Sequence, residues 1–139
     1  MKPNICRVDE SKEYFFKEGC FILELSNKAD DPGLSIVRAR VEPGVRTRLH
    51  RLDGVAERYV ILKGKGRVEI GDRPLEEVAH GDVVIIPPEC PQRIANIGKE
   101  DLVFLAICTP RFAMEAYSDI EDSSSAKLDS LGKKSTESI

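Results

Sequence analysis

Three polar side chains, His50, Glu57 and Gln92, carry the chemistry that this sequence offers. An imidazole, a carboxylate and an amide oxygen can together hold a divalent metal ion with water in its open positions, which supplies a Lewis acid. Without a metal, His50 and Glu57 form a catalytic proton-transfer pair, with Gln92 orienting the ligand. A third possibility is a non-catalytic pocket that holds a small polar molecule. The residue types leave these alternatives open.

The residues around these three side chains follow the periodicity of strands. From residue 43 to residue 71 apolar and polar side chains mostly alternate, which places His50 and Leu52 on one strand face. The Asp53-Gly54 pair favours a turn that brings Glu57, on the returning strand, towards His50. A second block, residues 81–96, contains an apolar run, two prolines and then Gln92 on an alternating strand. A small barrel would gather all three around one cavity.

The two blocks resemble the paired motifs of the cupin family. The first motif places a glycine, a histidine, a glutamate and a second glycine at fixed spacing, and the second places a glycine, a proline and an asparagine. The matching positions here are Gly44, His50, Glu57 and Gly64 in the first motif and Gly81, Pro87 and Asn96 in the second. The resemblance spans roughly residues 20–110. It implies an all-β fold, the double-stranded β-helix or jelly-roll barrel of cupins.

Two of the four positions that usually bind a metal in this family are altered. Leu52 stands where the family has a second histidine, and Gln92 stands where it has its last one. The resemblance therefore implies a weak site for Mn, Fe, Ni or Zn at His50, Glu57 and Gln92. It also implies two functions, a small-molecule-binding cupin or a metal-dependent enzyme of the oxygenase or sugar-phosphate isomerase type. Against both stands a purely structural interpretation, with His50 in the core and Glu57 paired with an arginine.

Short strands separated by Gly, Pro and Asp account for most of the chain. They are predicted at residues 20–25, 34–42, 47–52, 58–63, 66–70, 83–86, 92–96 and 102–109, with a short helical segment within 111–117. This succession predicts an N-terminal segment at residues 1–19 and a barrel at residues 20–117. The remainder, residues 118–139, is rich in Ser, Asp and Lys, which predicts a disordered tail.

Charge and composition narrow the classes of partner. The 139 residues carry a formal net charge of -3 and a pI near 5.5, which argues against a nucleic-acid-binding protein. Arginines nevertheless crowd one stretch, at positions 38, 40, 46, 48, 51 and 58. The sequence favours a solvated sheet face balanced by acids, although one guanidinium in the barrel mouth would select an anionic ligand. The expected partner is therefore a small polar or anionic molecule.

The cysteines, the first residues and one apolar segment predict the cellular location and the oligomeric state. The four cysteines show no zinc-finger or CxxC spacing, and the first residues lack the apolar run of a secretion signal, which predicts a cytoplasmic protein with reduced thiols. Every apolar run is short enough for a strand, so no membrane partner is expected. The apolar residues Phe15, Phe16, Phe21, Ile22 and Leu23 are more hydrophobic than an exposed edge should be. Together with the resemblance, they predict a homodimer.

Overall fold

The computed structural model describes residues 1–121 of the chain. Within them, eleven strands form two antiparallel sheets, which confirms the all-β jelly-roll prediction. The strands are β1 (Tyr14–Phe16), β2 (Cys20–Ser26), β3 (Ser35–Val41), β4 (His50–Leu52), β5 (Ala56–Lys63), β6 (Gly66–Ile70), β7 (Glu76–Val78), β8 (Val83–Ile86), β9 (Gln92–Asn96), β10 (Leu102–Thr109) and β11 (Tyr117–Asp119). Two 3-10 helices, Glu10–Lys12 and Met114–Ala116, lie next to β1 and β11.

The larger sheet has the strand order β1-β2-β3-β10-β5-β8. Strand β10 lies at its centre and pairs with both β3 and β5. Every second residue of β10 is buried, beginning with Leu102 and Phe104, because alternate side chains of a strand point to opposite faces. The inward face of this sheet supplies one wall of the barrel.

The smaller sheet has the order β11-β4-β9-β6-β7 and supplies the opposite wall. Strands β6 and β9 pair over five residues, from Gly66 opposite Asn96 to Ile70 opposite Gln92. Strand β4 pairs with β9 at a single position, where His50 lies opposite Gln92. The second motif is thereby placed directly against the first.

Apolar side chains from both sheets fill the space between them. Ile86, Ile94 and Leu102 are fully buried, and burial of each such side chain stabilises the fold by roughly 1.5–3 kcal/mol. A second, smaller cluster lies at the other end of the barrel and consists of Phe16, Leu52, Val55, Cys108 and Tyr117. The polar residues considered below lie beside this second cluster.

The turn between β5 and β6 requires a glycine. Gly64 has φ +87°, and a Cβ atom at this position would lie 2.7 Å from the backbone oxygen of Asp101. Both the left-handed backbone and the close approach exclude a side chain. This explains the last glycine of the first motif in structural terms.

Most predicted strands are confirmed, and the differences have local causes. The strand predicted at residues 47–52 begins only at His50. Before it, Thr47 donates hydrogen bonds from its backbone N–H and its hydroxyl to the Ile94 oxygen, outside the regular strand pairing. Strands β1, β7 and β11 were not predicted. Each has three residues, too few to show an alternating pattern.

The two sheets of the barrel include residues on both sides of the predicted range 20–117. Strand β1 pairs with β2, and β11, which includes Ser118 and Asp119, pairs with β4. The predicted tail otherwise falls on residues 122–139, which lie outside the described residues. Within residues 1–121, no helix has the length and apolar character needed to cross a membrane.

Candidate functional site

His50 is held in a defined orientation inside the barrel. Its side chain is almost fully buried, and its Nδ1 lies 2.8 Å from the backbone oxygen of Arg48. A carbonyl oxygen only accepts hydrogen bonds, so Nδ1 carries the proton and Nε2 is the nitrogen left for other partners. Nε2 lies 3.5 Å from Oε1 of Glu18. The Arg48 carbonyl therefore fixes which nitrogen of the ring faces the acidic part of the site.

Glu57 is a buried carboxyl group with incomplete hydrogen bonding. Its Oε2 lies 3.7 Å from the sulfur of Cys108, whereas Oε1 has no hydrogen-bond partner. Burial, followed by the nearby Glu18 carboxylate, raises the pKa of Glu57 to about 7. Near neutral pH this group exists in both protonation states. It can accept a hydrogen bond as the anion or donate one as the acid.

Gln92 is buried opposite His50, but its amide oxygen is already used. The hydroxyl of Tyr59 donates a hydrogen bond of 2.6 Å to Oε1 of Gln92. Tyr59 lines the cavity described below, whereas Gln92 is not among the lining residues. The structure thus brings His50 and Glu57 into one cavity, and Gln92 supports the wall through Tyr59.

Two residues of the site were missed in the sequence. Glu18 lies in the turn between β1 and β2, where its backbone oxygen accepts a hydrogen bond from the Arg48 N–H. Tyr117 stacks on the His50 ring with centroids 5.1 Å apart, and its buried hydroxyl has no hydrogen-bond partner. Both residues lie in segments far along the chain from the motifs, so spacing within the motifs gives no signal for them.

These residues line a cavity between the two sheets. The volume open to the centre of a water molecule is about 60 Å³, enough for a few waters or one small organic molecule. Its wall combines carboxyl groups with aromatic rings and aliphatic side chains. The lining residues are Tyr14, Phe16, Glu18, Ile22, Glu24, Ser35, Val37, Ala39, His50, Leu52, Glu57, Tyr59, Phe104, Ala106, Cys108, Phe112 and Tyr117.

None of the arginines in the arginine-rich stretch lines this cavity. Arg38 and Arg40 form ion pairs with Glu13, and Arg48 forms one with Asp119. Arg51 pairs with Asp53 in the same way. The prediction of a basic sheet face balanced by acids is confirmed for these residues. No guanidinium lines the cavity in the described part of the chain.

The model of the cupin domain matches residues 37–108, more than half of the chain. The chain belongs to the cupin family. An uncharacterized protein of Methanocaldococcus jannaschii is 36% identical over 109 residues, which cover 77% of this chain and 86% of that protein. The glucose-6-phosphate isomerase of Pyrococcus furiosus is 39% identical over 77 residues, which cover 52% of this chain and 40% of the isomerase.

Solved structures confirm the fold of this cupin. The structure of KdgF from Halomonas sp. has a TM-score of 0.68 at 16% sequence identity, and the alignment covers 78% of this chain and 96% of KdgF. At this level of identity the similarity concerns the fold alone. The chemistry of the site must come from the residues present in this chain.

The described donor set does not fit a tightly held transition metal. His50 resembles a metal ligand, because its second ring nitrogen is held by a backbone carbonyl. However, no group of three or more His, Cys, Asp or Glu side chains is arranged to bind a metal ion within residues 1–121. Leu52 offers only carbon, and the Gln92 oxygen already accepts from Tyr59. The metal-ligand set His50, Glu57 and Gln92 therefore stays a prediction.

Proposed function

We propose that this cupin binds a small polar molecule in its cavity, with Glu57 and Tyr117 as hydrogen-bonding anchors. The observation that carries the proposal is the unpartnered Oε1 of Glu57, a buried atom of a residue that lines the cavity. Leaving such a group without a partner costs roughly 1–3 kcal/mol, which a ligand with a suitable donor would offset. The Tyr117 hydroxyl is a second unpartnered group on the same wall.

The cavity limits the ligand to a few heavy atoms. A volume of about 60 Å³ on this measure corresponds to roughly four to six water positions. Aromatic and aliphatic side chains form the rest of the wall, so a short apolar group bearing one polar end matches the site. Four-carbon probes of this kind are isobutanol, isobutyramide, isobutyrate and the isobutylammonium ion.

Replacement of the anchor with an apolar residue of similar length tests the proposal. Ligand-observed NMR should detect binding of at least one of the four probes to the wild-type protein, and Glu57→Met should abolish it. The fold should survive, because methionine removes a buried unpartnered carboxyl group without emptying its space. Glu76→Met on the exposed strand β7 is the matched control and should bind as the wild type does. Unchanged binding to Glu57→Met would contradict the proposal.

Proton transfer on the bound molecule is a second candidate function. It is favoured by the pKa of Glu57 near 7, which suits a general acid or base at neutral pH, and by the fixed orientation of His50. Acetone in D₂O is a simple probe, because removal of a proton from carbon appears as loss of its ¹H signal. Exchange should be faster with the wild type than with Glu57→Gln, whereas acetone should bind to both. Equal exchange rates would eliminate this candidate.

A metal-dependent enzyme is the remaining alternative, in the form of an oxygenase or a sugar-phosphate isomerase. Its support is the similarity to the glucose-6-phosphate isomerase of Pyrococcus furiosus, which covers about half of this chain. A phosphorylated substrate normally meets Lys or Arg side chains, and the described cavity wall contains neither. The binding function is therefore the better supported of the two.

A further inference from the structure

The wall of the cavity is acidic. Glu18, Glu24 and Glu57 line it, and among the described residues that line it only His50 is basic. A ligand with a negative charge would meet repulsion from these carboxylates, and a ligand with a positive charge would be attracted. We propose that the bound molecule is a small organic cation, an ammonium group on a short apolar chain, an inference that rests on the proposed binding function.

The position of Glu57 gives this charge a specific partner. Its unpartnered Oε1 is buried, so an ammonium N–H that reaches it forms a charge-assisted hydrogen bond in a poorly hydrated site. Glu18 lies 3.5 Å from the Nε2 of His50, with its side chain 12% exposed. Acidic side chains therefore outnumber basic ones among the described residues that line the cavity.

Aromatic rings provide the second element of cation recognition. Tyr59, Phe104 and Tyr117 are buried and line the cavity. The faces of such rings attract cations within about 6 Å of the ring centre. The Tyr117 ring is already stacked on His50 and has the Nζ of the exposed Lys17 4.9 Å from its centroid, so Tyr59 and Phe104 are the rings that would meet a bound cation. Rings and carboxylates together match a cation that carries apolar carbon.

Three probes of the same shape separate charge from size. Isothermal titration calorimetry compares isobutylammonium, isobutanol and isobutyrate with the wild-type protein. We expect isobutylammonium to bind at least about tenfold more tightly than isobutanol, and isobutyrate to bind most weakly.

Two variants assign the preference to Glu57. Glu57→Gln keeps the shape of the side chain but removes its charge, so it should abolish the preference for isobutylammonium over isobutanol. Glu76→Gln makes the same change on an exposed strand and should alter neither affinity. Tighter binding of isobutanol or isobutyrate by the wild type would overturn the cation inference and leave the binding function intact. Failure of every probe, or binding unaffected by Glu57→Met, would overturn both.

Discussion

At the scale of single residues, the buried carboxyl group of Glu57 lowers the stability of the fold but offers a hydrogen-bonding atom to the proposed ligand. The fold keeps a carboxyl group among apolar side chains and leaves one of its oxygens without a partner. Replacing it with an apolar residue would remove this cost. The presence of Glu57 is therefore explained better by the proposed binding function than by its contribution to the stability of the barrel.

The raised pKa of Glu57 predicts how stability depends on pH. Between the ordinary carboxyl value of 4.5 and about 7, the folded protein keeps a proton that the unfolded chain has released. The free energy of unfolding contributed by this group therefore decreases as pH rises through that window. The decrease is about 3 kcal/mol in order of magnitude, and it is complete above the folded-state pKa.

Glu57→Gln should remove this contribution, because glutamine does not titrate. Urea unfolding at about pH 5 and about pH 8 measures the effect, and the loss of stability between them should be larger in the wild type than in the variant. Titration of other groups is common to both proteins and cancels in the comparison. Identical pH dependence in the two proteins would show that Glu57 has an ordinary pKa in the folded state.

At the scale of elements, the register between β4 and β9 determines which motif residues meet. His50 lies directly opposite Gln92, so a histidine at position 92 would place a second imidazole beside the first. Side chains opposite each other in an antiparallel pair have Cβ atoms about 4.5–5.5 Å apart, within reach of one metal ion. The register thus makes the metal prediction testable by a single substitution.

Gln92→His should raise the affinity for Zn or Ni, because it restores an imidazole to the donor set. Calorimetric titration of both proteins with each metal measures the change. His80, which is exposed, offers a control: the double variant Gln92→His with His80→Ala should retain the gain. Unchanged metal uptake in a folded Gln92→His protein would contradict the expected convergence of His50, Glu57 and residue 92.

The elements also show what the sequence could and could not predict. Strands β6, β8, β9 and β10 were predicted at their observed bounds, because each is an alternating or continuous apolar segment bounded by turn residues. His50 and Glu57 were found from motif spacing within one hairpin. Glu18 and Tyr117 reach the cavity only through pairing of β1 with β2 and of β11 with β4. Such contacts between distant segments leave no periodic signal in a single sequence.

At the scale of the whole molecule, both edges of the larger sheet expose a large apolar side chain. Phe15 on β1 is 61% exposed, whereas Phe16 and Leu23 of the same apolar segment belong to the core. Ile85 on β8, at the opposite edge, is 68% exposed. Both edges offer apolar surface and unpaired backbone groups for association. The predicted homodimer involves the β1 edge.

Size-exclusion chromatography with light scattering tests this assembly. We expect a mass near twice the 15.5 kDa of the chain, and we expect Phe15→Glu to give the monomer by placing a charge at the contact. Ile85→Glu is the matched control at the other edge and should remain dimeric. A monomeric wild type at micromolar concentration, or dissociation caused only by Ile85→Glu, would contradict the predicted interface.

The positions of Glu18 and Tyr117 also have a consequence for biosynthesis. One follows the first strand and the other begins the last strand of the described residues, yet both form the wall beside His50. As the chain leaves the ribosome, His50 and Glu57 emerge well before the strand that covers them. The proposed ligand would therefore meet a complete site only after β11 has emerged and paired with β4. Its binding would stabilise chains that have finished folding and would not stabilise truncated chains that lack β11.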